Sequence, residues 1–200
     1  GGVAVCGGLG SLGTLTASWL AGVKATRLGL LGRSGRAATM SAPLMRSASL
    51  VRMQRCDAAT AGDRAALVTS ADDASTRAIV HAGGVLADAT LAQQRASGMA
   101  RVYAAKADAL RSLASVAHGR AVCAQVLFSS LAAFLGSPGQ ANYCAANAAL
   151  DAAAHASQAR GARVVSVQWG AWIGGGMATN DASTVSRMER AGVGVVSPSL

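Results

Sequence analysis

Gly7-Gly8-Leu9-Gly10-Ser11-Leu12-Gly13 follows the apolar run Val3–Cys6 directly and leads into an amphipathic helical segment that reaches about Leu20. Gly8, Gly10 and Gly13 fit the pattern G-x-G-x-x-G. In that pattern the first glycine makes a tight turn, the second lets backbone approach a pyrophosphate, and the third lets the helix pack closely on the strand. The helix N-terminus then faces the anion. The glycines alone also fit a purely structural turn; their place between a strand and a helix is the context that points to a dinucleotide. The phosphate contacts fall to Gly7, Gly8, Leu9, Gly10, Ser11 and Leu12.

Further strand-length apolar runs follow at Leu28–Leu31, Leu50–Met53, Ile79–His81, Val122–Phe128 and Val164–Trp169, separated by helix-like segments. Strand alternating with helix predicts βαβ units and an α/β fold, a parallel sheet with helices on both faces. Its Rossmann-like, doubly wound form has strand order 3-2-1-4-5-6. A chain of 200 residues with 52% hydrophobic content can bury one domain's core. The segment 35–49, small and polar with Pro43, reads as a mobile loop. Residues 174–200, opening on three glycines, read as a lid followed by a helix or loop, with no closing strand. The start at Gly1-Gly2-Val3, without Met, reads as a piece excised from a longer protein.

The net charge of +9 raises nucleic acid as a partner, but the arginines are scattered and only 4% of residues are aromatic, so no stacking platform is visible. A basic nucleic-acid-binding domain of Rossmann type therefore has charge alone in its favour. No apolar run approaches the length of a membrane span. Cys6, Cys56, Cys123 and Cys144 stand far apart without a C-x-x-C pair, which argues against a metal site. Cys6 and Cys123 lie in strand-like runs and read as small core residues, which fits a reducing, cytoplasmic setting or an organelle such as a plastid.

The second strand ends at Gly32-Arg33-Ser34. An NAD site wants an acidic side chain here for the ribose hydroxyls, whereas an arginine suits a 2′-phosphate, so NADPH is the favoured cofactor. An ordinary exposed loop arginine is the other reading of Arg33. Asp57 after the third strand, and Ala82, Gly83 and Gly84 after the fourth, fall where open α/β sheets bind ligands, bordering the adenine and ribose.

Tyr143 follows Ser130 by thirteen positions, with Asn147 one helical turn further on. A phenol gives up a proton more readily beside a cation, and the chain has only two lysines, Lys24 and Lys106. Lys24 falls at the N-terminal edge of the sheet, away from the ligand crevice. Lys106 shares an apolar helical stripe with Met99, Tyr103, Leu110 and Leu113, and lysines are rarely buried without a partner. The cation near the phenol is expected to lower its pKa, Tyr143 to protonate a developing alkoxide, Ser130 to donate to the same oxygen, and Asn147 to bond backbone or water and hold a relay. A snorkelling lysine, a capping serine and a core tyrosine are the structural alternatives.

With these residues assembled, the chain resembles the catalytic subdomain of a ketoreductase from a modular polyketide synthase or an animal-type fatty acid synthase, a branch of the short-chain dehydrogenase/reductase superfamily. The resemblance runs through CGGLGSLG, LLGRSG, CDAA, IVHAGGVLAD, VLFSSLAAFLGSPGQANYCAANAALDA and VQWGAWIGGGM, in the family's order. Most of the superfamily has Tyr-x-x-x-Lys; these ketoreductases are similar to Tyr143-x-x-x-Asn147, with the lysine moved upstream to Lys106. The resemblance implies NADPH-dependent reduction of a 3-ketoacyl thioester, carried on an acyl carrier protein within a multidomain synthase, to the 3-hydroxyacyl thioester. It also implies B-type facial selectivity: Leu86-Ala87-Asp88 stands for Leu-Asp-Asp, Pro138 and Asn142 match the family's proline and asparagine, and Leu135 stands where A-type members have tryptophan. Met177 is placed at the substrate by the same resemblance.

Three departures qualify it. Cys6 and Leu9 replace threonines of the phosphate loop, Gly83 replaces an alanine, and the family's structural subdomain, last helix and last strand have no counterpart in this chain. The altered loop residues support a second reading, a structural or inactive cofactor-binding ketoreductase.

Overall fold

The computed structural model describes residues 1–23, 27–36, 44, 50–63, 76–117, 122–172, 192 and 194–197. Lys24, Met177 and most of 35–49 and 174–200 lie outside them. Six strands, β1 (Gly2–Cys6), β2 (Arg27–Gly32), β3 (Leu50–Arg55), β4 (Thr76–His81), β5 (Ala124–Ser130) and β6 (Val164–Trp169), form one sheet in the order β3-β2-β1-β4-β5-β6. Every pairing is parallel, so the doubly wound α/β expectation describes the molecule.

The alternation of side chains along each strand creates two buried faces. Val5, Leu28, Leu30, Val80 and Phe128 face helix α1 (Ser11–Gly22) through Ala17 and Ala21. Ala4, Cys6, Leu31 and Ile79 face the other way, toward Leu113. Leu113 belongs to a long helical run made of α2 (Ala96–Tyr103), a π-helical segment (Ala104–Asp108) and α3 (Ala109–Ala117). The short α4 (Ala132–Leu135) leads to α5 (Ala141–Gln158), which buries Leu150 and Ala154 against Leu127 and Val164. Leu28, Leu30, Leu31, Ile79 and Leu127 are fully buried, and each such side chain contributes about 1.5–3 kcal/mol.

Three expectations need correction. β5 begins at Ala124 rather than Val122, so Cys123 sits just ahead of the sheet and is exposed, while Cys6 is buried as expected. The helical stripe runs through Val102, Lys106, Ala109 and Leu113; Met99 is exposed, because the π-helical segment shifts the phase of the turns on either side of it. Beyond β6, β7 (Ala171–Trp172) pairs in parallel with β8 (Val195–Val196), a short strand that was not foreseen in the tail. Leu44, the one described residue of 37–49, is fully buried with Val5 and Leu30. Among the described residues, no helix is long and apolar enough to cross a membrane, and no cluster of three or more His, Cys, Asp or Glu could hold a metal ion.

Candidate active site

The strand order reverses at β1 and β4, and a cavity of about 750 Å³ opens at the carboxyl ends of β1 to β4. Its walls include Gly7, Leu9, Gly10, Ser11 and Leu12 after β1, Arg33 and Ser34 after β2, Asp57 after β3, and Ala82, Gly83 and Gly84 after β4. This is where open α/β sheets take ligands. Of the residues assigned to the cofactor from sequence, Gly8 alone is missing from the wall. Its N–H bonds both Val5 O at 3.1 Å and Leu31 O at 3.0 Å, and a Cβ there would meet Val5 O at 2.6 Å. Gly8 therefore makes the turn and leaves the lining to its neighbours.

The other glycines divide by what excludes a side chain. A Cβ on Gly13 would strike Gly7 O, and one on Gly7, at φ 77°, would lie 2.6 Å from Gly83 N, so helix, loop and β4 turn are packed backbone to backbone. At Gly10 a Cβ would meet nothing nearer than Gly7 O at 3.4 Å, an ordinary contact. The protein's own packing does not demand a glycine at position 10, whereas a pyrophosphate lying on the loop would. Gly10 is also the N-cap of α1 and no side chain caps that helix, so the first-turn amides, whose residues line the cavity, are available to an anion. Arg33 is exposed at the mouth, and Asp57 turns its carboxylate onto Ala59 N at 3.0 Å. The first-turn amides and the Arg33 guanidinium fit a dinucleotide phosphate.

Lys106 lies on the π-helical segment, only 3% exposed, and its ammonium donates to Phe128 O at 2.6 Å. Burial pulls its pKa from the ordinary 10.5 down to about 8, against a smaller upward pull from Asp151. Asp151 is held by Ser166 Oγ at 2.5 Å and Gln168 Nε2 at 2.8 Å.

Tyr143, Asn147 and Asp151 follow one another at four-residue spacing along α5. Burial raises the Tyr143 pKa above its ordinary value; the Ser130 and Asn147 side chains pull it back, and Cys144 and Asp88 push it further up. The expected lowering by Lys106 is thus reversed here, because desolvation dominates and the ammonium is engaged with Phe128 O. Ser130 Oγ accepts from Ala132 N–H at 3.2 Å, as the capping alternative expects, which leaves its own hydrogen free to donate. Asn147 donates to Tyr143 O at 2.9 Å, while its Oδ1 is buried with no partner among the described residues. Tyr143 thus sits between Ser130 and Asn147, and Lys106 enters from the neighbouring helix two residues before Ser130.

Beside this group two loops are tied together. Asn142, fully buried, donates to Ala87 O at 2.7 Å and accepts from Tyr143 N at 2.7 Å. Gln140 Nε2 donates to Asp88 Oδ2 at 2.9 Å, and Ala89 N to Gly139 O at 2.8 Å. Leu135 is 60% exposed at the end of α4 and Pro138 is exposed in the following turn. Sequence reasoning passed over His81, which is buried and lines the cavity; its only signal was a polar residue ending an apolar strand.

Residues 1–174 match the KR domain family. The chain is 42% identical over 197 residues to the polyketide synthase GfsA of Streptomyces halstedii, covering 96% of this chain and 3% of that protein. It is 36% identical over 210 residues to the putative inactive phenolphthiocerol synthesis polyketide synthase type I Pks1 of Mycobacterium tuberculosis, covering 99% of this chain and 13% of that protein. Among solved structures it is similar to A-type ketoreductases from a modular polyketide synthase, with a TM-score of 0.90, 38% identity, and coverage of 99% of this chain and 43% of that one. The chain therefore spans a small fraction of the synthases it matches and under half of that ketoreductase.

Proposed function

Because the chain belongs to the KR domain family, as its match over residues 1–174 establishes, we propose that it reduces a 3-ketoacyl thioester on an acyl carrier protein to the 3-hydroxyacyl thioester with NADPH, inside a multidomain synthase of the cytoplasm. The observation that carries this reading is the gathering of Ser130, Tyr143 and Asn147, with buried Lys106 alongside, next to a glycine-walled anion cavity. On this reading residues 1–200 act as one catalytic subdomain.

Bound NADPH supplies the hydride that goes to the 3-keto carbon. The protein's part is acid catalysis at the carbonyl oxygen. Ser130 Oγ–H donates to that oxygen as negative charge develops, and Tyr143 transfers its phenolic proton to it, so the C=O becomes a C–OH. The raised pKa of Tyr143 suits this direction, since the phenol holds its proton until the alkoxide forms. The Lys106 charge stabilises the phenolate left behind, and Asn147 Oδ1 takes a water that returns a proton.

Arg33 at the mouth of β2 supports NADPH over NADH, because no carboxylate follows that strand to take the ribose hydroxyls. The B-type reading rests on Asp88, Pro138 and Asn142 and on Leu135 in place of tryptophan. The Gln140–Asp88 and Asn142–Ala87 bonds support it by fixing the loop after β4 over the start of α5. The test is NADPH consumption by the full-length protein with a 3-ketoacyl thioester, followed by the configuration of the product. NADPH binding without consumption would instead support a structural, inactive domain.

A further inference from the structure

His81 ends β4 at 1% exposure, and its Nε2 lies 3.1 Å from Ala105 O, on the residue before Lys106. A carbonyl only accepts, so Nε2 carries the hydrogen and the ring is held in that tautomer. Nδ1 is then a bare acceptor, buried and without a partner among the described residues. The ring stays neutral: burial first, and the Lys106 charge second, lower its pKa to about 3.

The bond lands on the π-helical segment Ala104–Asp108, where Ala109 N–H reaches back five residues to Ala104 O instead of the α-helical four, to Ala105 O. The carbonyl that the α-helical pattern would have satisfied through Ala109 is the one His81 engages. His81 pairs in register with Leu127 on β5, and the next residue, Phe128, supplies the carbonyl that Lys106 holds. The same turn is thus fastened to two adjacent strands, by Ala105 O to β4 and by Lys106 Nζ to β5. Gly83 fits this arrangement, since a Cβ there would stand 3.0 Å from His81 Cε1 and press on the ring.

We propose that His81 is a positioning residue for Lys106: its Nε2–H bond to Ala105 O sets the turn from which the lysine reaches Phe128 O, two residues before Ser130. A histidine serves because it donates from the end of the strand while remaining uncharged beside a buried ammonium. This inference rests on the ketoreductase reading for its catalytic consequence, though the geometry it describes is independent of that reading.

The experiment compares His81→Phe, which keeps a ring but no donor, with His81→Gln, whose amide donates from nearly the same place as Nε2. In the full-length protein, His81→Phe should lower kcat about tenfold or more, with NADPH affinity within about twofold of wild type, and His81→Gln should recover most of the loss. The basic limb of the kcat/KM profile should move to higher pH in His81→Phe, because a loosened Lys106 regains water. Wild-type rate and limb in His81→Phe, or equal impairment of both variants, would overturn the proposal. Should His81→Phe fail to fold, His81→Asn replaces it, since its shorter amide stops short of Ala105 O; equal rates in Asn and Gln would then be the overturning result. Acylation of Lys106 by an activated ester at about pH 10, where the amine is substantially neutral in either setting and labelling reports access, is read by mass spectrometry and requires no turnover. Labelling should rise several-fold in the donorless variant and not in His81→Gln, and identical labelling in all forms would sink the idea. A wild-type protein without turnover but with this labelling pattern would count against the ketoreductase reading and for the positioning role.

Discussion

Lys106 Nζ donates to Phe128 O at 2.6 Å, joining the π-helical segment to β5 two residues before Ser130. An ammonium so buried holds its proton less firmly, at a pKa of about 8, whereas burial raises the Tyr143 phenol. The two groups titrate in opposite directions from their ordinary values. On the proposed mechanism the phenol must be protonated and the lysine charged for reduction, so the lysine sets the upper pH limit. The kcat/KM for NADPH reports ionisations of the free protein. It should fall as pH rises through about 8, and Lys106→Met should have a low rate without that limb.

The same burial predicts a gain in stability when the charge is removed. The folded pKa of about 8 lies below the ordinary 10.5, so between those values the unfolded chain binds more protons and stability rises with pH. Below this window the full penalty applies, on the order of 3 kcal/mol, partly offset in a Lys106→Met comparison by about 1 kcal/mol for the lost bond to Phe128 O. Lys106→Met should therefore be more stable at pH 7 by about 2 kcal/mol, an advantage that shrinks above pH 8. Chemical denaturation at pH 7 and pH 10 measures both values.

Tyr143→Phe removes the proposed proton donor, a single hydroxyl, from a half-buried site while α5 keeps its packing through Leu150 and Ala154. Turnover should fall by about 10³-fold or more, because acid catalysis and placement are lost together. NADPH affinity, followed by fluorescence, should stay within about twofold, since the phosphate loop and Arg33 lie on other elements. A retained rate would remove Tyr143 from the chemistry.

The parts of the site written in side chains at fixed spacing were legible in the sequence. The glycine-rich turn after β1 was legible because Gly7, Gly8 and Gly13 do backbone work that a side chain would obstruct, and the strands showed as apolar runs because a parallel sheet is buried on both faces. Lys106 was found from helical phase. Its partner was not, because Phe128 O is a backbone atom and every residue has one. The π-helical segment has no compositional signature either, and it displaced Met99 from the expected stripe. The direction of the Tyr143 shift depends on how deeply α5 seats against β5 and its loops, a property of tertiary packing. The start of β5 was misplaced by two residues, Val122 for Ala124, which put the exposed Cys123 inside the strand, because the apolar run begins ahead of the ladder.

Arg33 stands exposed at the end of β2 and lines the cavity, and on the proposed reading its guanidinium meets the 2′-phosphate of NADPH. Arg33→Ala should weaken NADPH binding about ten- to a hundredfold, the range of one charge-assisted hydrogen bond, and leave NADH nearly unchanged. The contrast should fade at high salt, because the pair is screened at the surface. Equal losses for both cofactors would show that Arg33 supports the loop instead of reading the phosphate.

Asn142, a marker of facial selectivity on the proposed reading, ties two segments of the structure together. Its amide is fully buried and bridges Ala87 O and Tyr143 N, fixing the loop after β4 to the first turn of the helix that bears Tyr143. Asn142→Ala would leave both backbone groups without that partner, at about 1–3 kcal/mol for each buried group that finds no water. It should therefore lower stability by about 2 kcal/mol or more and also loosen the wall containing Asp88. Product from this variant should lose stereochemical purity, whereas Leu135→Trp, at an exposed site, should alter the product's configuration with little effect on unfolding. Chiral chromatography of the hydroxyacyl product, alongside denaturation curves, separates the two roles. Unchanged purity in Asn142→Ala would confine Asn142 to structure and leave the facial choice to the residues around it.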